Sequence, residues 1–114
     1  SLENSLKPHA QWLSDVGMNA SQVAQSIVRY PQCLRQSLEN KCIPTVEHLQ
    51  DLGFTDSQIA RVLARYPVLL SLSLKRLEHR MRVLKAQGPL TESSLGTMCL
   101  TDARFAARFE RLAE

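Results

Sequence analysis

The chain has 114 residues, 44% of them hydrophobic and 22% charged, with a net charge of +3 at pH 7. That is one domain's worth of chain, with ordinary composition for a folded protein and enough apolar content for a core. No apolar run approaches the ~20 residues that a membrane-spanning helix needs, and no secretory signal is visible. The first residue is Ser, so the chain is read as a processed product or a fragment. Cys33, Cys42 and Cys99 are odd in number and lack CxxC spacing. They read as small apolar residues in a reducing compartment and not as a disulfide framework or zinc site. His9, His48 and His79 also lack ligand spacing and are read as polar surface or interface residues. The expectation is no metal, no cofactor, no membrane and no small-molecule substrate.

From Asn4 the chain begins a pattern that restarts at Asn40. Across 35 aligned positions, 14 are identical at an offset of 36. Leu13, Asp15 and Gly17 return as Leu49, Asp51 and Gly53, and Arg29-Tyr30-Pro31 returns as Arg65-Tyr66-Pro67. A fixed period in this range marks a solenoid, whose repeats bury their apolar faces against their neighbours.

The first repeat contains Pro8, Leu13, Gly17, Met18, Asn19, Gln22 and Val23 in the roles that the second repeat fills with other letters. In that second repeat, Pro44 is expected to open the first helix, with Val46, Leu49 and Leu52 as its apolar stripe. Gly53 is expected to end it in the left-handed region. Thr55 and Gln58 have the spacing of a capping box, and Phe54 and Ile59 that of a hydrophobic staple. Ile59, Val62, Leu63 and Tyr66 form one face of the next helix, which Pro67 stops at Tyr66. A short turn with 3₁₀ character follows, and then a long helix from about Leu74. Its stripe is Leu74, Leu77, Met81 and Leu84, and Gly88 ends it.

A third unit starts but does not finish. Thr91 stands at the cap position, with Leu90 and Leu95 as staple, but Asp102-Ala103 occupies the place of Tyr-Pro. Residues 102–109 read as a capping helix with Phe105 and Phe109 turned inward. The expected architecture is all-α: one domain over residues 1–114, with repeats at 4–39 and 40–75 and a partial repeat at 76–114.

Charge is unevenly spread. Between Ser57 and Gly88 stand Arg61, Arg65, Lys75, Arg76, Arg80, Arg82 and Lys85 against a single acid, Glu78. The rest of the chain holds the other seven basic residues and ten acids. A concentrated basic stripe points to a polyanion. Arg29 joins the set as the counterpart of Arg65, although an Arg at that place also suits the last helical carbonyls. Arg76 and Arg80 are expected along one flank of the long helix, and Lys75 and Arg82 along the other, all free to reach phosphates. Trp12 aligns with His48 and is read as a half-buried packing residue. There is no Gly-rich phosphate loop, no metal-ligand cluster and no nucleophile with a spaced base, so catalysis is not expected.

These residues resemble a known family. Leu49-x-x-Leu52-Gly53-Phe54, the capped helix after it, Tyr66-Pro67-x-Leu69-Leu70 and the long helix from Leu74 are similar to the mitochondrial transcription termination factor (mTERF) repeat. Leu13, Gly17, Met18 and Tyr30-Pro31-x-x-Leu34 match it again. The resemblance covers almost the whole chain and identifies a short member or a fragment. It implies a left-handed superhelix of three-helix units, about two and a half here. It also implies mitochondrial or chloroplast location and binding of RNA or double-stranded DNA in transcription termination, its regulation, or RNA metabolism. The alternative is an RNA-clamping or scaffold component of an organellar ribosome or ribonucleoprotein, with ribosomal proteins as partners.

Overall fold

Two glycines set the first reversals of the chain. Helix α1 (Leu2–Val16) ends where Gly17 takes φ of 125°. The Gly17 N–H then donates to the Ser14 carbonyl at 3.0 Å, and the Met18 N–H to that of Leu13 at 3.1 Å. This is the Schellman pair of bonds, which closes a helix only when its hinge residue accepts positive φ. Gly53, at φ 97°, repeats it with bonds from Gly53 to Gln50 and from Phe54 to Leu49.

Next comes a capped helix in each repeat. Asn19 and Gln22 form a full capping box at the start of α2 (Ala20–Arg29). Thr55 and Gln58 do the same for α4 (Asp56–Arg65). Both helices stop at a tyrosine that bonds back to the final turn, Tyr30 to Ser26 and Tyr66 to Val62. The prolines then open 3₁₀ turns, Pro31–Arg35 and Pro67–Ser71. Helix and turn thus recur at the offset of 36 read from the sequence.

The structure, a computed structural model, describes residues 2–110, with the backbone alone for residues 2–4. All regular elements among the described residues are helical. The very end of the expected partial repeat, residues 111–114, lies outside the described residues. The chain divides into two compact units, Ser1–Ser71 and Leu72–Glu114. In the first, α2 packs along α4, and α1 and α3 (Ile43–Asp51) close around them over Leu13, Leu49, Ile59, Leu63 and Leu69. The second holds α5 (Leu74–Lys85), α6 (Glu92–Thr97) and α7 (Asp102–Phe105), which continues as a π turn to Glu110. Leu77, Leu95, Met98 and Phe105 are its fully buried side chains. Phe105 and Phe109 both turn inward as expected, their ring centroids 4.9 Å apart.

Two local expectations need adjustment. Pro44 stands in the first turn of α3 as expected, but it lies inside a longer helical segment. The helical segment begins at Leu38, where the Ser37 hydroxyl accepts the Asn40 N–H at 3.1 Å. Pro44 has no N–H to offer the Asn40 carbonyl. The residues ahead of it wind as a π turn, Leu38–Cys42, in which Cys42 donates to Ser37 at 3.0 Å. Pro8 likewise lies inside α1. His9 is not a surface residue: it is buried, with Nδ1 2.8 Å from the Ser5 carbonyl and Nε2 2.8 Å from that of Gln36. Its ring ties α1 to the end of the first 3₁₀ turn.

Candidate nucleic-acid interface

Of the eight basic residues picked out by sequence, three lie in the first unit and five in the second. In the first, α4 buries Ile59, Val62 and Leu63, so its helical period turns Arg61 and Arg65 outward. Arg61 Nη1 donates to the Ser57 hydroxyl at 2.9 Å, one turn back. The Arg65 guanidinium lies over the Tyr66 ring, 5.5 Å from its centroid. Arg29, at the end of α2, reaches the Arg65 carbonyl with Nη1 at 3.3 Å. Packing of α2 on α4 therefore gathers Arg29, Arg61 and Arg65 on one exposed surface.

In the second unit the two flanks of α5 differ. Lys75, Arg82 and Lys85 fall on one row at spacings of 7 and 3 residues. All three are exposed, and none forms an ion pair with another described residue. The other flank is occupied by α7 and the π turn after it. Arg76 Nη2 pairs with Asp102 Oδ2 at 3.0 Å, and His79 Nε2 lies 2.7 Å from Glu110 Oε1. Arg76 remains half exposed, so its charge is partly offset but not hidden.

Arg80 corrects the expectation that both flanks offer free cations. It is only 2% exposed. Its Nη1 donates to the main-chain oxygens of Met98 and Leu100, and its Nη2 pairs with Asp102 Oδ1 at 2.7 Å. The guanidinium carbon lies 4.7 Å from the centroid of the Phe105 ring. A buried guanidinium must have its donors answered, and carbonyls, carboxylate and ring face together do that. Arg80 is thus the post around which the α6–α7 connection is wound, and its burial keeps it out of a phosphate's reach. Close by, the Cys99 thiol is pushed up to about 11 by burial, against the opposing pull of the Arg80 charge.

Asp102, which governs both Arg76 and Arg80, was not singled out from sequence. The signal was present: Asp102 replaces the tyrosine of Tyr-Pro in the unfinished third unit. Arg104 and Arg108, four residues apart on the terminal helical segment, are also exposed cations outside the expected set. Among the described residues no group of His, Cys, Asp or Glu has the arrangement of a metal site. No described helix is long and apolar enough to cross a membrane.

A family model described as mTERF matches residues 1–102 of the chain. No curated protein and no solved structure shows significant similarity to it. Proteins of the matched family are helical-repeat, nucleic-acid-binding and typically organellar.

Proposed function

Because the chain belongs to the mTERF family, we propose that it is an organellar protein that binds RNA or duplex DNA through the phosphate backbone. The observation that carries this reading is the outer row of α5. Lys75, Arg82 and Lys85 stand exposed without carboxylate partners among the described residues, on the flank that α7 leaves uncovered. Unpaired cations on a rigid helix lose little on exchanging water for phosphate, and they release condensed counterions in doing so. Arg61 and Arg65 on α4, with Arg29 beside them, supply a second basic surface in the first unit.

The aromatic residues favour phosphate contacts over base stacking. Phe54, Phe105 and Phe109 are buried, and Tyr30 and Tyr66 are half-buried at helix ends. None of these five is an open platform of the kind on which unpaired bases stack, and the sixth aromatic, Trp12, stands among the carboxylates Asp15, Glu47 and Asp56, which repel a nucleic acid. Contacts to phosphate position a protein but carry little sequence information, so base selectivity is expected to be weak. Within that class, a role in transcription termination, its regulation or RNA metabolism follows the family.

Fluorescence anisotropy with a labelled RNA hairpin and a labelled DNA duplex over a salt series tests the proposal. Affinity should fall linearly on logarithmic axes, with each neutralised phosphate adding about 0.7 to 0.9 to the slope. Salt-independent binding, or none, would transfer the function to the scaffold reading.

A further inference from the structure

The first unit carries a groove of about 230 Å³ whose chemistry is opposite to that of the basic rows. Trp12 and Val16 on α1 and Ile43 on α3 supply its apolar lining, and Asp15, Glu47 and Asp56 supply carboxylates. No lysine or arginine lines it. Trp12 is half-buried, so an indole face remains available, and Ile43 is among the few large apolar side chains left exposed. Asp15 takes one hydrogen bond from Gln11 at 2.9 Å and forms no ion pair among the described residues.

We propose that this groove is a docking site for an arginine-bearing, aliphatic peptide segment of a protein partner. The argument is complementarity of charge and shape within one concavity. Three carboxylates on a chain of net charge +3 create a local field that repels phosphate and attracts cations. Indole is the aromatic face that cations favour most, and the planar guanidinium both stacks on it and hydrogen-bonds carboxylates in pairs. Aliphatic side chains beside the arginine would cover Val16 and Ile43, which water otherwise contacts. Nucleic acid meets the same groove as an anion facing anions. The site is therefore independent of the nucleic-acid reading, and either can fail alone.

Trp12 is the only tryptophan in the chain, so its fluorescence reports on the groove directly. The test is titration of the intact protein with a short fluorescein-labelled peptide alternating leucine and arginine, read by Trp12 emission and by peptide anisotropy. Saturable binding with a change in Trp12 emission is expected, weakening as salt is raised. The double substitution Asp15→Asn and Glu47→Gln, both at exposed positions, should weaken it about threefold to tenfold, the range of two exposed ion pairs. Its melting temperature should match that of the parent, and Glu47→Gln alone serves if the pair does not fold. Equal binding of a leucine–glutamate peptide, unchanged affinity in the neutralised variants, no binding, or the same Trp12 response to an RNA hairpin would each overturn the proposal.

Discussion

Arg29 donates a hydrogen bond to the main-chain oxygen of Arg65, the residue that holds Arg29's own place one repeat later. The recurrence of arginine before Tyr-Pro thus has a structural use as well as a charge. The last carbonyls of a helix lack intrahelical donors, and α4 receives one from the helix packed beside it. Arg29→Ala is expected to lower unfolding free energy by less than about 1 kcal/mol, because the bond is exposed and long. A urea midpoint shift checks this; a loss of several kcal/mol would mean that Arg29 holds more than this carbonyl.

Arg80 separates structural charge from binding charge. Arg80→Met keeps much of the apolar contact but strands the Met98 and Leu100 carbonyls, while Asp102 keeps Arg76. A cost of about 2–4 kcal/mol is expected, from leaving buried acceptors without donors. At a temperature where the variant remains folded, its affinity for RNA should equal that of the parent. A selective loss of affinity with stability intact would return Arg80 to the binding set.

Most of the fold was legible because its signals are local. A glycine past a helix end, Asn or Thr before a helix with Gln three residues on, and Tyr-Pro at a stop each act within a few residues. Periodicity placed Leu77, Met81 and Leu84 in the core for the same reason. Arg80 was misread because its partners lie 18 to 22 residues away, which no helical period reports. Its neighbour Met81 faces the core, and packing of α7 widens that face to include position 80. The start of the helix containing Pro44 was partly legible. Ser37 recurs as Ser73, and both hydroxyls accept the N–H three residues on. Reading Ser37 as a cap would have put the helix start at Leu38. The basic row Lys75, Arg82 and Lys85 was visible as composition, but which flank α7 covers was not.

The two Tyr-Pro corners should respond differently to loss of a hydroxyl. Tyr30 Oη donates to the Ser71 hydroxyl at 3.2 Å, and Ser71 in turn donates to the Val68 carbonyl at 2.7 Å. The Tyr66 hydroxyl has no such partner among the described residues. Tyr30→Phe is expected to cost about 0.5–1.5 kcal/mol, the net worth of one hydrogen bond, and Tyr66→Phe close to nothing. Tyr66→Ala should cost roughly 2–4 kcal/mol through lost packing at the corner. Equal effects of the two Phe substitutions would show that the 3.2 Å bond contributes nothing.

Thiol labelling reads local opening. Cys33 and Cys42 are 1% and 0% exposed, and burial pushes Cys42 up to about 11. Both are therefore protonated at neutral pH as well as shielded, and only the thiolate attacks. Labelling of these two positions by a maleimide should proceed at the rate or population of unfolding and rise with urea in step with loss of helix. Fast labelling of Cys42 in buffer alone would place an opening motion between α3 and the first 3₁₀ turn.

The outer and inner flanks of α5 should differ in their share of the salt dependence. Lys75, Arg82 and Lys85 are exposed and have no carboxylate partner among the described residues; Arg76 already shares Asp102 with Arg80. A phosphate approaching Arg76 must compete with that carboxylate, whereas the outer row exchanges only water and counterions. Replacing all three outer residues with Ala should remove about 2–3 units from the slope of log affinity against log salt, at 0.7 to 0.9 per contact. Arg76→Ala alone should remove less than one outer substitution does, and it should leave Asp102 fully to Arg80. Stability should barely change in the triple variant, because exposed charges without partners contribute little to folding. If the slope stayed at the parent value after the triple substitution, the contacts would have to lie elsewhere, and Arg61 and Arg65 on α4 would be the next set to replace.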